Sequence, residues 1–247
     1  MKNMTTTLLA LAALAVIAAG CGKTAERKDA APVADTVQTA AAAATATLDT
    51  VSGTFTDSRD GKAYRVVKIG TQAWMAENLN FVTDSSVCYK NDVSNCQKYG
   101  RLYNWNDAMK ACPVPWRVPS DEDWDSLALA VGGQRAEYIY GGYDWKFAGK
   151  KLKSTTGWKD REDDYGNLVS GNGTDEFGFS ALPGGYGYSG VSGYASYVGV
   201  WWSTTEDGAD FAWYRHMGYD IDYMYRDYNI KTRLRSLRCV RDFAAPQ

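Results

Sequence analysis

The chain has 247 residues, with 27 Lys and Arg against 29 Asp and Glu, a formal net charge of −2 and 45% hydrophobic content. Charges of both signs are interspersed without a basic stripe, which argues against a nucleic-acid partner. One histidine and five cysteines, none in a CxxC pair, argue against a zinc site, and no motif calls for another metal or cofactor.

The first twenty residues carry one charge, Lys2, before LLALAALAVIAAG, an apolar run of thirteen residues that is shorter than the ~20 a spanning helix needs. Residues 1–20 therefore have the form of a secretory signal. Ala18, Ala19 and Gly20 stand directly before Cys21 and resemble the bacterial lipoprotein box, which implies acylation of Cys21 and anchoring to a lipid bilayer. Gly22, where an acidic residue would mark inner-membrane retention, implies an outer-membrane lipoprotein. Residues 21–52 are rich in Ala and Thr and lack aromatics, so they have little apolar surface to offset the entropy of ordering. They form a tether, and thirty extended residues at ~3.3–3.6 Å each reach up to ~100 Å.

All nine Trp, 17 Tyr and seven Phe fall within residues 53–243, a length sufficient for one domain with a substantial core; residues 244–247 are a tail. The domain opens with a hairpin about Asp60 and Gly61 and a further strand through Ala73 to Met75. Leu102, Trp105, Ala108 or Met109, and Cys112 share one helical face, stopped by Pro113 and Pro115. Ser120 and Asp123 form a capping box for a second helix whose stripe is Trp124, Leu127, Ala128 and Val131, ended by Gly132 and Gly133. Asp121, Glu122 and Asp123 suit the positive end of that helix and signal helix initiation rather than catalysis. FAWYRHMGYDIDYMYRDY predicts two antiparallel strands about Gly218, and RSLRCVRDF a final strand. The fold class is α+β.

Apart from Cys21, four cysteines allow three pairings in an oxidising compartment. The polar residues inside CYKNDVSNC suggest a hairpin tip closed by Cys88 and Cys96, which leaves Cys112 for Cys239.

WNDAMKACPVPWRVPSDEDWDSL resembles the helix–helix segment of C-type-lectin-like domains. Across residues 53–242, DGKAYRVVKIGTQAWMAENLNF, KYGRLYNW, AGKKLKSTTGW, GTDEFGFSALPGG, WWSTTE and LRCVRD are more closely similar to the Fibrobacter succinogenes major paralogous domain. That resemblance implies a disulfide-stapled C-type-lectin-like fold with two short early helices, twisted antiparallel strands and long loops, related to formylglycine-generating enzymes. Those enzymes use a pair of redox cysteines in the C-terminal part, where this chain has Cys239 alone. The Trp105-Asn106-Asp107 triplet matches a lectin calcium motif by letters, but it opens the first helix instead of a late strand, and its Glu-Pro-Asn counterpart is absent. Trp105 is expected in the core, with Asn106 and Asp107 exposed.

Other catalytic signals are weak. GYGYSG at 185–190 matches a dinucleotide fingerprint with no following helix and reads as a flexible loop. The acids of REDDYGN at 161–167 are adjacent in a polar loop rather than opposed across a bond. His216 stands without a motif, as a structural residue. The distinctive feature is tyrosine among Gly, Ser, Asp and Asn between Gly184 and Tyr228, a composition suited to recognition. Tyr186, Tyr188, Tyr194 and Tyr197 are the first ligand-binding candidates, followed by Tyr219, Tyr223 and Tyr225, whereas Trp201, Trp202 and Trp213 suit the core. The expected function is a lipid-anchored, non-enzymatic envelope domain that binds a polysaccharide or a surface protein. The alternatives are an envelope enzyme acting on glycan or protein, formylglycine-generating-like or a glycosidase, and a purely structural envelope protein.

Overall fold

A computed structural model describes residues 53–137 and 142–243. The signal segment, Cys21, the tether and the tail at 244–247 lie outside the described residues. Strands β1 (Thr54–Thr56) and β2 (Ala63–Ile69) form the predicted hairpin, and β3 (Gln72–Met75) folds back on β2 through Gly70, at φ +61°. A 3-10 turn at Tyr89–Asn91 leads into helix α1 (Val93–Tyr99), capped by the Asp92 side chain on Ser94 N. Helix, not hairpin, thus separates Cys88 from Cys96. The disulfide they form still closes the segment, because a short helical turn also brings residues eight apart close together.

Helix α2 (Trp105–Ala111) starts at Asn104, whose side chain accepts from Asp107 N, and α3 (Asp121–Ala130) carries the complete Ser120–Asp123 capping box. After α3 come the paired strands β4 (Gln134–Glu137) and β5 (Tyr143–Lys146), then the one-turn helix α4 (Ala148–Leu152) and the short pair β6 (Arg161–Glu162) and β7 (Leu168–Val169). The described helices therefore number four rather than the two expected. Hairpin β8 (Tyr186–Tyr188) and β9 (Val191–Gly193) precedes the antiparallel sheet of β10 (Val198–Glu206), β11 (Phe211–Gly218) and β12 (Tyr225–Ile230). Strand β13 (Val240–Asp242) joins β3, completing a sheet in the order β1-β2-β3-β13. The fold is α+β, and among the described residues no helix is long and apolar enough to cross a membrane.

The final strand is shorter than expected because residues 234–239 pair with a different element at almost every residue. Leu234 exchanges hydrogen bonds with Gly187, and Arg235 with Tyr103. Ser236 N donates to Val200 O, Leu79 N to Leu237 O and Met75 N to Cys239 O. This extended strap is buried from Arg235 to Val240, and the backbone bonds named above reach separate elements in place of one ladder. The Cys112–Cys239 disulfide ties it to the end of α2. Two apolar clusters flank β10, and strand alternation sends Trp201 into one and Trp202 into the other.

Candidate functional site

Period-two alternation places Val198, Val200 and Trp202 on one face of β10. The β10–β11 register sets Trp202 opposite Tyr214 and Val200 opposite His216, and the β11–β12 register sets Tyr214 opposite Asp227 and His216 opposite Tyr225. Trp202 is buried under this face. Val200, Tyr214, His216, Asp227 and Asn229 line an open cavity of about 280 Å³ there. Tyr186 of the β8–β9 hairpin, Arg233 just before the strap and Arg235 within it are also in its wall.

GYGYSG, expected to be a loop, forms the first strand and the turn of this hairpin. Ser189 at φ +49° and Gly190 at φ +79° supply the two left-handed positions that a two-residue type I′ turn needs. Gly185 is held at φ +71°, and a Cβ there would lie 2.3 Å from Gly193 O, so this glycine marks close packing. Tyr194, at φ +67°, brings its ring onto Tyr186, with centroids 5.2 Å apart and planes 11° from parallel. An aromatic residue in the left-handed region carries a backbone cost, and here that conformation is fixed by Tyr197 N and Val198 N, which both donate to Tyr194 O.

Arg235 is 3% exposed, and its guanidinium lies 3.7 Å from the Tyr214 ring centroid and 4.6 Å from that of Trp202. It makes no ion pair among the described residues, and its Nε has no hydrogen-bond partner. Three residues along the strap, Arg238 is also fully buried without a carboxylate. It donates instead to Asn78 Oδ1, Phe179 O and Ser180 O, so its need for acceptors is met inside the protein. Burial draws the Arg235 pKa down to about 10, which leaves it cationic at neutral pH. Arg233, half-buried, stands 4.0 Å over the Tyr188 ring, and its Nε is likewise unpartnered.

Asp227 Oδ2 accepts from the Tyr214 hydroxyl at 2.9 Å, and its Oδ1 accepts from Tyr228 N. Burial lowers the His216 pKa to about 4, with Asp227 pulling the other way and Arg235 adding to the fall. The imidazole is neutral at pH 7, stacked on Tyr225 at 4.7 Å.

The structure gathers some of the predicted tyrosines and separates others. Tyr186 lines the cavity, Tyr194 stacks on it and Tyr188 underlies Arg233. Tyr225 adjoins through His216, and Tyr223 lies 5.8 Å from Tyr225. Tyr197 and Tyr219 form a separate edge-to-face pair at 5.2 Å, with the Tyr197 hydroxyl held by Lys159 Nζ at 2.7 Å. Tyr219 lines a different cleft, with Lys159–Glu162 and Asp220. Tyr214, His216, Asp227, Asn229, Arg233 and Arg235 were not among the sequence candidates. Alternation within each strand and the Arg-Leu-Arg spacing were the only signals, and neither reveals which strands are neighbours.

Trp105 is half-buried against the core, its Nε1 donating to Ser203 O, and Trp213, expected in the core, is half-buried beneath Arg226. Asn106 is exposed, but Asp107 is half-buried and accepts from Thr83 Oγ1 and Ser85 N, both at 3.0 Å. Among the described residues no cluster of three or more His, Cys, Asp or Glu is arranged to hold a metal ion. Asp163 in REDDYGN is a turn residue, accepting from Tyr165 N and Asn167 N. Asp121 and Asp123 do more than start α3. Asp121 is paired with Arg215 and Arg226, and Asp123 with Arg117.

The family model described as the Fibrobacter succinogenes major domain matches residues 67–241. The chain belongs to this family. In this Fibrobacter succinogenes major domain the matched span holds both disulfides, the strap and every residue lining the cavity. No curated protein and no solved structure matches the chain.

Proposed function

We propose that this is a lipid-anchored, non-enzymatic binding domain of the cell envelope, held at the outer membrane through Cys21, which recognises a polysaccharide or surface protein through its aromatic C-terminal surface. The observation that carries this reading is one open cavity with Tyr186 and polar groups in its wall, where Tyr194 stacks on Tyr186 and Tyr188 packs under the lining Arg233. Aromatic faces offer contact area at low entropy cost, and a few fixed polar groups supply direction, the usual composition of a ligand site. We assign the fold to the C-type-lectin-like class, a reading supported by two successive helices followed by strands and by the bridge from the end of α2 to the C-terminal strap.

The test is retention of the full chain on immobilised glycans and envelope proteins. Wild type is expected to be retained by at least one class and Tyr188→Ala/Tyr194→Gly to be released from it; equal retention of both proteins would overturn the assignment of this surface. Cys21→Ala is expected to leave the membrane fraction. An unchanged fractionation, with no acyl mass on wild type, would overturn the anchor.

A further inference from the structure

The strap carries two buried arginines without a carboxylate, and only one of them is supplied with acceptors. Arg238 has three oxygen-bearing partners within the protein. Arg235 has aromatic faces on one side and the cavity on the other, with no acceptor from any described residue. A cation that is 3% exposed, with its Nε unpartnered and no carboxylate beside it, is costly to keep, and a fold able to satisfy Arg238 locally leaves Arg235 on the wall of a space open to a ligand.

We infer that the cavity takes a carboxylate-bearing sugar, a hexuronate unit of an acidic polysaccharide, with its carboxylate on Arg235 and Arg233. The inference rests on the binding function proposed above and names its ligand class. Charge selects a monoanion. Arg233 and Arg235 bring two positive charges, Asp227 one negative, and His216 is neutral, leaving one positive charge to be balanced. A phosphate dianion would exceed that balance and face the Asp227 carboxylate. A guanidinium presents its N–H groups as a planar fork that matches a carboxylate. The remaining wall suits a pyranose: Tyr186 contributes aromatic surface for its C–H side, and Asp227 and Asn229 offer hydrogen-bonding groups for its hydroxyls. A volume of about 280 Å³ accommodates one sugar unit and leaves its neighbours in the chain to the exposed rings of Tyr188 and Tyr194.

The experiment is calorimetric titration of the full chain with oligogalacturonate, the same oligomer after reduction of its carboxyl groups, inorganic phosphate and a glutamate-rich peptide. Oligogalacturonate is expected to bind at least about tenfold more tightly than its reduced form, the equivalent of one charge-assisted hydrogen bond. Arg235→Gln is expected to remove that preference, and the affinity of wild type is expected to fall with added salt. If Arg235→Gln does not fold, Arg233→Gln at the cavity rim is expected to cut the preference while keeping the wild-type melting temperature. Equal binding of both oligomers would overturn the carboxylate assignment while leaving a sugar-binding surface in place. Binding of phosphate or of the peptide without oligogalacturonate would overturn the ligand class. Absence of binding by any of the four would overturn the inference, and the glycan and protein retention test would then decide the broader reading separately.

Discussion

Arg215, wholly buried in β11, donates to Asp121 Oδ1 at 2.9 Å across the boundary between the C-terminal sheet and α3. The same carboxylate receives Arg226 Nε from β12 at 2.6 Å, and Arg215 also reaches Asp125 Oδ1 at 2.8 Å. One acid at the start of a helix thus fixes two adjacent strands, and with them the registers that build the cavity on the opposite face.

Asp121→Ala leaves Arg215 buried with one of its two carboxylate partners, Asp125, and removes the acid that Arg226 also uses. Breaking a buried pair from one side costs about 3–5 kcal/mol, so a large fall in the urea midpoint is expected. A midpoint within error of wild type would show that the pair does not hold the sheet to the helix.

Removing the Cys112–Cys239 bridge, which spans 127 residues, is expected to cost about 2–5 kcal/mol, measured as a lower melting temperature for Cys112→Ser/Cys239→Ser. The Cys88–Cys96 bridge closes only eight residues around α1, so the chain-entropy model predicts a smaller loss for Cys88→Ser/Cys96→Ser. Equal losses would mean that the strap draws its stability from its hydrogen bonds instead.

His216 sets a pH dependence. The folded protein holds it neutral down to about pH 4, whereas the unfolded chain protonates it near 6.5 and so binds more protons between those values. Its contribution to stability is therefore complete above pH 6.5 and is lost as the pH falls toward 4. The groups around it are Tyr214, Tyr225, Asp227 and Arg235, none of which forms an ion pair with it. Urea midpoints for wild type and His216→Asn are expected to converge across this window; parallel curves would place the imidazole in solvent.

The tyrosines divide by exposure. Tyr188, Tyr194 and Tyr197 are exposed, so Tyr188→Ala and Tyr197→Ala are expected to change stability by no more than about 0.5 kcal/mol each. Tyr194→Gly removes a ring while suiting the left-handed backbone, and its stability is expected to hold or rise. Tyr186→Ala is expected to cost more, because that ring packs on the core cluster. Ligand retention is expected to fall with Tyr188 or Tyr194 and to survive Tyr197→Ala. Loss of binding with Tyr197 alone would move the site to the cleft at Tyr219.

Local physics made much of the fold legible in the sequence. The Asp60-Gly61 hairpin, the Ser120 capping box, the Trp124-Leu127-Ala128 stripe and the two halves of the C-terminal hairpin depend on residues within a few positions of one another, and such signals survive in any tertiary setting. The Cys88 segment showed the limit of local reading, since the same polar residues serve a hairpin tip or a capped helix. The cavity was beyond it altogether. Tyr186, Tyr214, Asp227, Arg233 and Arg235 share a wall only because the β10–β11–β12 register is set and a strap from residue 234 onward runs between Gly187, Tyr103 and Val200. Those pairings join residues as much as 132 positions apart, as Tyr103 and Arg235 are, and no short-range pattern encodes them. The sequence determined that tyrosine would crowd the C-terminal half; the tertiary structure decided which tyrosines meet, and that a buried arginine without an acceptor lies among them.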